Sequence, residues 1–286
     1  MSPRSPDDNP LKPVQKPRPK AGQAGENRSG KNYSGSSKRI SSGRWQQVRQ
    51  FMHQRPVLAQ LYWLLVRVVV FLLITSFGAV VVLKYVPIWV TPLVVSRWID
   101  TFGTDESSHV YKKWRSYDDI SKEAALAVIA SEDQAFPRHW GFDFDEIQDA
   151  IRENQHRKRP RGASTITQQV AKNVFLWSGR SYVRKGLEVY FTVLIELIWG
   201  KRRILEVYLN VAETGPMTFG VEAASQRFYH HSAAELSRNE AARIAAVLPN
   251  PILLSIRNPS NYVQRRTRQI ARQMRALGGQ KYIRNL

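Results

Sequence analysis

Cysteine is absent from this 286-residue chain, which excludes a disulfide scaffold, a thiolate nucleophile and any cysteine-ligated metal centre. The absence carries no information about redox compartment, since a thiol-free chain suits an oxidising or a reducing one. Carboxylates are also scarce: 23 Asp and Glu stand against 43 Lys and Arg, a formal net charge of +20. Such a chain is expected to meet an anionic partner, whether nucleic acid, phospholipid headgroups or a phosphorylated substrate. No nucleotide-binding glycine pattern or long internal repeat occurs, and period-two alternation is sparse, so α/β and all-β folds are disfavoured. Apolar side chains, by contrast, make up 43% of the residues, enough to build one good-sized domain.

Charge and hydropathy are unevenly spread. Residues 1–55 hold twelve Lys/Arg against three Asp/Glu, six prolines before residue 20 and a Gly/Ser-rich tract. They read as a disordered basic tail, because so little apolar surface cannot offset the entropy of ordering. From Pro56 to Leu83 the only charge is Arg67, and a span of this length exceeds the roughly 20 apolar residues a bilayer requires. Residues 56–85 are therefore expected to be a transmembrane anchor, with Tyr62-Trp63 and Tyr85 to Trp89 at the two interfaces. No small-x-small cleavage site follows, so the anchor is expected to stay. Lys84 to Val110 carries two basic and three acidic residues, so the basic tail is expected in the cytoplasm and the remainder outside it. Residues 86–110 read as a linker and 111–286 as the catalytic domain.

Beyond residue 110 the patterns are helical, over Lys122–Ala130, Phe144–Arg152, Tyr182–Trp199, Arg202–Asn210, Glu240–Leu248 and Asn261–Leu277. A further helix opens at Thr165, where Thr-x-x-Gln fits a capping box. Chemistry first appears at Glu132-Asp133, adjacent carboxylates at a helix end just before Pro137 and Gly141 turn the chain. One of them could act as a general base if burial raised its pKa; the bland alternative is a solvated helix end with His139 on the surface. In Ser164-Thr165-Ile-Thr-Gln168-Gln169-Val-Ala-Lys172-Asn173, helical spacing puts Thr165, Gln168 and Lys172 on one face. Hydroxyls, free helix-start amides and a lysine suit an anion such as phosphate, and a well-capped polar helix explains the hydroxyl and first glutamine equally well. Arg180, Arg184 and Lys185 with Glu188 read either as a surface ion-pair cluster or as a diphosphate clamp whose carboxylate orients the cations or holds a divalent ion.

Taken in order, Glu-Asp-x-x-Phe-x-x-His-x-Gly at 132–141, Gly-x-Ser-Thr-Ile-Thr-Gln-Gln at 162–169, Arg-Lys-x-x-Glu at 184–188 and Lys-x-x-Ile-Leu-x-x-Tyr-Leu-Asn at 201–210 resemble the peptidoglycan glycosyltransferases, glycosyltransferase family 51. The likeness covers roughly residues 110–260, and with one anchor and no penicillin-binding domain it is to the monofunctional members. It implies a mainly α, lysozyme-like fold of two lobes. It also implies polymerisation of lipid II by inverting transfer, forming β-1,4 bonds and releasing undecaprenyl diphosphate. Glu132 would be the base and Glu188 the second family carboxylate. Ser164, Thr165, Gln168, Gln169, Lys172, Asn173, Arg180, Arg184 and Lys185 would hold the substrate. Mg²⁺ or a similar divalent cation at Glu188 is the candidate auxiliary, and no organic cofactor is implied. The expected partners are lipid II, the growing lipid-linked strand, the bacterial inner membrane and unidentified cell-wall synthesis proteins.

Two other readings compete. A lysozyme-type hydrolase or lytic transglycosylase would share the fold and the glutamate but has no use for clustered cations. A tethered binder of anionic polymers would explain the +20 charge and the acid-free stretch 241–286 with its nine Lys/Arg, yet the topology keeps that stretch away from nucleic acid. Those arginines are instead expected near anionic headgroups. A reporter joined after Leu286 is expected to score as extracytoplasmic and one joined before Met1 as cytoplasmic; the reverse pattern would overturn the topology.

Overall fold

The computed structural model describes residues 56–102, 109–157, 162–179 and 181–286. The tail expected over 1–55, residues 158–161 of the basic loop and Arg180 lie outside the described residues. Residues from Trp63 onward form one compact unit; of the unit before it, residues 56–62 are described, all in the first helix. The fold is mainly helical, with ten α-helices among the described residues.

Helix α1 runs Pro56–Leu83 with proline in its first turn, where the missing N–H is harmless. Its apolar stretch reaches a mean hydropathy of 2.6 and is only 6% covered by protein, as a lipid-facing helix would be. Near its end the environment changes. Ser76 shares a hydrogen bond of 2.8 Å with the Tyr190 hydroxyl, Val80 is fully buried, and the Trp199 indole N–H donates to the Val80 carbonyl at 2.7 Å. Arg203 donates to the Leu83 carbonyl at 2.8 Å, satisfying an orphan acceptor where the helix dipole favours a cation.

Within 86–110, expected as a linker, lies helix α2, Pro92–Asp100. Thr91 caps it by accepting from Val94 N–H, and proline at the helix start completes a start signal that the sequence did carry.

Helix α3, Lys122–Glu132, buries every residue from Ala124 to Ala130, so its run of alanines lets neighbours approach on all sides. It packs with α9, Arg238–Val247, and α10, Asn261–Ala276, to form one lobe. The other lobe joins α5, Ile166–Phe175, to α6, Tyr182–Ile198, and α7, Lys201–Val211. Helix α4, Phe144–Asn154, follows α3 and is capped by Asp143. The expected helices are all present, with ends displaced by at most two residues.

A three-stranded sheet was not anticipated. β1, Tyr111–Lys112, lies parallel to β3, Thr218–Phe219, and β2, Glu213–Gly215, lies antiparallel to β3. Strands of two or three residues are too short to display a period. After β3, Gly220 opens α8, Val221–Tyr229, at φ +86°, and a Cβ there would come within 2.8 Å of the Asn210 carbonyl oxygen. Asn210 in turn clamps the backbone of Arg115, accepting its N–H and donating to its carbonyl, both at 2.8 Å.

Because α1 ends inside the catalytic domain, its last turns belong to the fold even though every motif lies beyond residue 110. A chain beginning at residue 86 is expected to be less stable by about 2–5 kcal/mol than one beginning at residue 72, through lost Val80 burial and an orphaned Trp199 N–H. Denaturant unfolding of both in detergent measures this; equal stabilities would make the contact incidental.

Candidate active site

At the end of α3 the two adjacent carboxylates part. Asp133, the C-cap, turns inward and is 7% exposed. It accepts from His139 Nε2 at 2.9 Å and from the backbone N–H of Ile166, the first residue of α5, at 2.9 Å. His139 Nδ1 accepts from Gly141 N–H at 3.1 Å, which fixes a neutral ring with its proton on Nε2, facing Asp133. Thr165 Oγ1 donates to the Gly141 carbonyl at 2.7 Å. Gly141 itself sits at φ +81°, where a Cβ would lie 2.6 Å from the Thr192 methyl. Thus His139 is not a surface residue, and Asp133 is a structural brace.

Glu132 points the other way. Its Oε2 accepts from Gln169 Nε2 at 3.0 Å, while Oε1 is buried without a hydrogen-bond partner among the described residues. Burial pushes the carboxyl pKa above its ordinary value, with Asp133 adding to the rise and Gln169, Arg266 and Lys172 opposing it. A buried carboxylate whose proton affinity is raised in this way is suited to take a proton.

Two clefts meet at Gln169. The larger, about 1030 Å³, places Glu132, Ser164, Thr165 and Gln169 opposite Arg266, Gln269 and Gln273 of α10, with Asp145, Glu146 and Asp149 of α4 on its rim. The smaller, about 430 Å³, is lined by Gln169, Lys172, Asn173, Arg184 and Tyr208, together with Arg97 and Glu213. Lys172 reaches solvent here, yet the surrounding protein lowers its pKa; Glu188 opposes this, Arg184 and Lys185 reinforce it, and Glu132 also opposes it. Its charge is therefore poorly compensated and ready for an anion.

Three expected site residues line neither cleft. Gln168 is 5% exposed because its side chain accepts from Thr165 N–H at 3.0 Å, closing the capping box, so the supposed Thr165–Gln168–Lys172 face is corrected to one carrying Gln169. Glu188, 4% exposed, accepts from Arg184 at 3.2 Å and from Lys185 at 2.5 Å. With both oxygens held by cations, Glu188 does not fit a divalent metal. No group of three His, Asp or Glu suited to a metal occurs among the described residues. Lys185 lies on Glu188, and Arg180 is outside the described residues.

Other residues escaped the sequence reading. Arg266, Gln269 and Gln273 follow helical spacing, a polar stripe that could have been noticed. Arg97 and Glu213, paired at 3.0 Å, carry no local signal because they lie 116 positions apart. Glu196, which accepts from Thr167 at 2.6 Å and Lys201 at 2.7 Å, ties α5 to α6 and the start of α7.

The chain matches the family described as Transglycosylase over residues 98–275. It is 47% identical over 230 residues to a protein of Pseudomonas fluorescens named biosynthetic peptidoglycan transglycosylase, covering 80% of this chain and 96% of that one. A protein of the same name from Pectobacterium carotovorum is 47% identical, covering 80% of this chain and 94% of the relative. One from Xanthomonas oryzae is 52% identical over 195 residues, covering 68% of this chain and 80% of the relative.

Replacing Asp133 with alanine orphans two buried donors at once, His139 Nε2 and Ile166 N–H. Asp133→Ala is expected to destabilise the fold by about 2–4 kcal/mol in denaturant unfolding. A loss below about 0.5 kcal/mol would show that the brace is dispensable.

Proposed function

This chain belongs to the transglycosylase family, and we propose that Glu132 activates an acceptor sugar hydroxyl in the larger cleft while Lys172 and Arg184 hold the donor's diphosphate in the smaller. Its activity is that of a peptidoglycan glycosyltransferase, which polymerises glycan strands. The observation that carries the residue assignment is the junction at Gln169: a carboxylate with one unpartnered oxygen on one side, and on the other an exposed, poorly compensated lysine.

In this reading Glu132 Oε1 receives the proton of the acceptor GlcNAc 4-hydroxyl as that oxygen attacks the donor MurNAc anomeric carbon. The bond from that carbon to the diphosphate oxygen breaks, and undecaprenyl diphosphate departs with the electron pair. One displacement inverts the α-linked donor into a β-1,4 bond. The leaving group needs charge neutralisation more than a proton, which Lys172 and Arg184 supply, Glu188 setting the guanidinium in place. Ser164, Thr165, Gln169 and Asn173 would contact the sugars and phosphates, with Lys185 and Arg180 adding positive potential. No step is assigned to a metal. The same cations disfavour the hydrolase reading, whose substrate carries no diphosphate.

The enzyme is membrane-anchored through α1. We place it in the bacterial inner membrane with its catalytic domain outside the cytoplasm. Exposed Tyr182, Val183, Val193 and Leu197 on α6, and Val95, Trp98 and Ile99 on α2, support a domain resting against lipid.

Glu132→Gln is expected to reduce lipid II turnover about 10²–10⁴-fold with binding nearly intact. Since folding raises the Glu132 pKa, the folded chain holds that proton more tightly than the unfolded chain. The group's contribution to stability is thus present at low pH and lost as pH rises through the raised value. A neutral glutamine removes that penalty, so the inactive variant should be at least as stable as the parent near pH 7. Lys172→Ala is expected to weaken substrate binding and slow transfer together, with a smaller deficit at high salt. Near-parental turnover by Glu132→Gln, or unchanged binding by Lys172→Ala, would refute the respective role.

A further inference from the structure

Behind the junction of the two clefts, a third residue completes a chain of hydrogen bonds. The Tyr208 hydroxyl, on α7, donates to Gln169 Oε1 at 3.1 Å, and Gln169 Nε2 donates to Glu132 Oε2 at 3.0 Å. Tyr208 is 1% exposed, so water does not compete for its hydroxyl. A primary amide can present either its oxygen or its nitrogen to a neighbour. Only the nitrogen suits an ionised carboxylate; the oxygen would face Glu132 favourably only if that group were protonated.

We propose that Tyr208 is a positioning residue that locks the Gln169 amide in the orientation that donates to Glu132 Oε2, keeping the base ionised and its Oε1 unpaired for the acceptor hydroxyl. The inference rests on the assignment of Glu132 as the base. Burial, with Glu132 and Asp133 beside it, lifts the Tyr208 phenol well above its ordinary pKa, so it remains a donor throughout the working range. The charged groups facing Glu132 are Asp133 from its own segment, Lys172 from α5 and Arg266 from α10. Among the described residues it is Tyr208 of α7 that donates to the Gln169 amide oxygen.

The test is Tyr208→Phe in the full-length protein, with Gln169→Met and the double variant, assayed on lipid II across pH in detergent. In the parent, kcat is expected to rise along an acidic limb that reports Glu132 ionisation in the substrate complex. Tyr208→Phe should displace that limb upward by about 0.5–1 in pH, the equivalent of one hydrogen bond. On the acidic side kcat then falls about 3–10-fold, recovering at higher pH, while KM and the unfolding midpoint stay close to the parent's. Gln169→Met should shift the limb in the same direction, and adding Tyr208→Phe to it should have no further effect. A parent without the limb would refute the Glu132 assignment itself. A parent with the limb and a Tyr208→Phe profile that overlays it would overturn this inference alone, as would independent, multiplying effects of the two substitutions. A Tyr208→Phe chain that fails to fold would assign the hydroxyl to the core and likewise overturn it.

Discussion

The carboxylate of Asp133 receives a proton donor from each side of the cleft, His139 from the turn after α3 and the first backbone amide of α5. Through these bonds the end of one helix is set against the beginning of another. That fixes where Glu132, one residue earlier, leaves the α3 axis, and where Gln169, one turn into α5, meets it. An anion at the start of α5 also lies where the helix dipole favours negative charge. Replacing this buried brace by chain flexibility would let the Glu132 carboxylate wander by more than its hydrogen bond to Gln169 tolerates, and in the role proposed for it positioning errors of about 1 Å would be costly in rate.

Around that brace the two halves of the site are charged oppositely in function. On one side burial raises a carboxyl pKa, which makes Glu132 a better proton acceptor. On the other, burial lowers the Lys172 pKa, Arg184 and Lys185 add to the fall, and Glu188, already bonded to both of those cations, offsets it only in part. Burial makes the charged form of each less favourable in the fold than in water. In the roles proposed for them, an acceptor hydroxyl and a diphosphate would each relieve one of them, which is how a preorganised site can favour the transition state over the resting enzyme. Gln169 lines both clefts, so the two halves share one side chain.

The membrane anchor is continuous with this arrangement. Val80 sits in the domain's core, Trp199 and Arg203 hold the carbonyls at the end of α1, and Arg203 also bonds the Val86 carbonyl. Trp199 follows α6, and Arg203 lies in the first turn of α7, the helix that carries Tyr208. With α1 in a bilayer and the diphosphate held as proposed, an anchor fused into the fold would set the height of the site rigidly where a flexible tether would not.

Much of this was legible from the chain alone, because it depends on neighbours in sequence. The apolar run 56–83, the capping box at Thr165, the alanine-rich α3 and the ordered motifs are local patterns, and each appears where expected. The glutamate of the first motif and the lysine of the second were likewise legible as candidates, and each lines one of the two clefts. Other features depend on residues far apart, and no spacing announces them. Asp133 is turned inward by the Ile166 amide, 33 positions away, while Glu132 lines the cleft; the fate of Gln168 against Gln169 was decided by which of them the cap required. The Arg97–Glu213 pair, the Arg266 wall and the burial of Val80 arise only when separate helices are brought into contact. Sequence determines helices, anchor and candidate chemistry because those are set by covalent neighbours; burial, proton affinity and the direction of each side chain are decided by the tertiary packing, which supplies the partners.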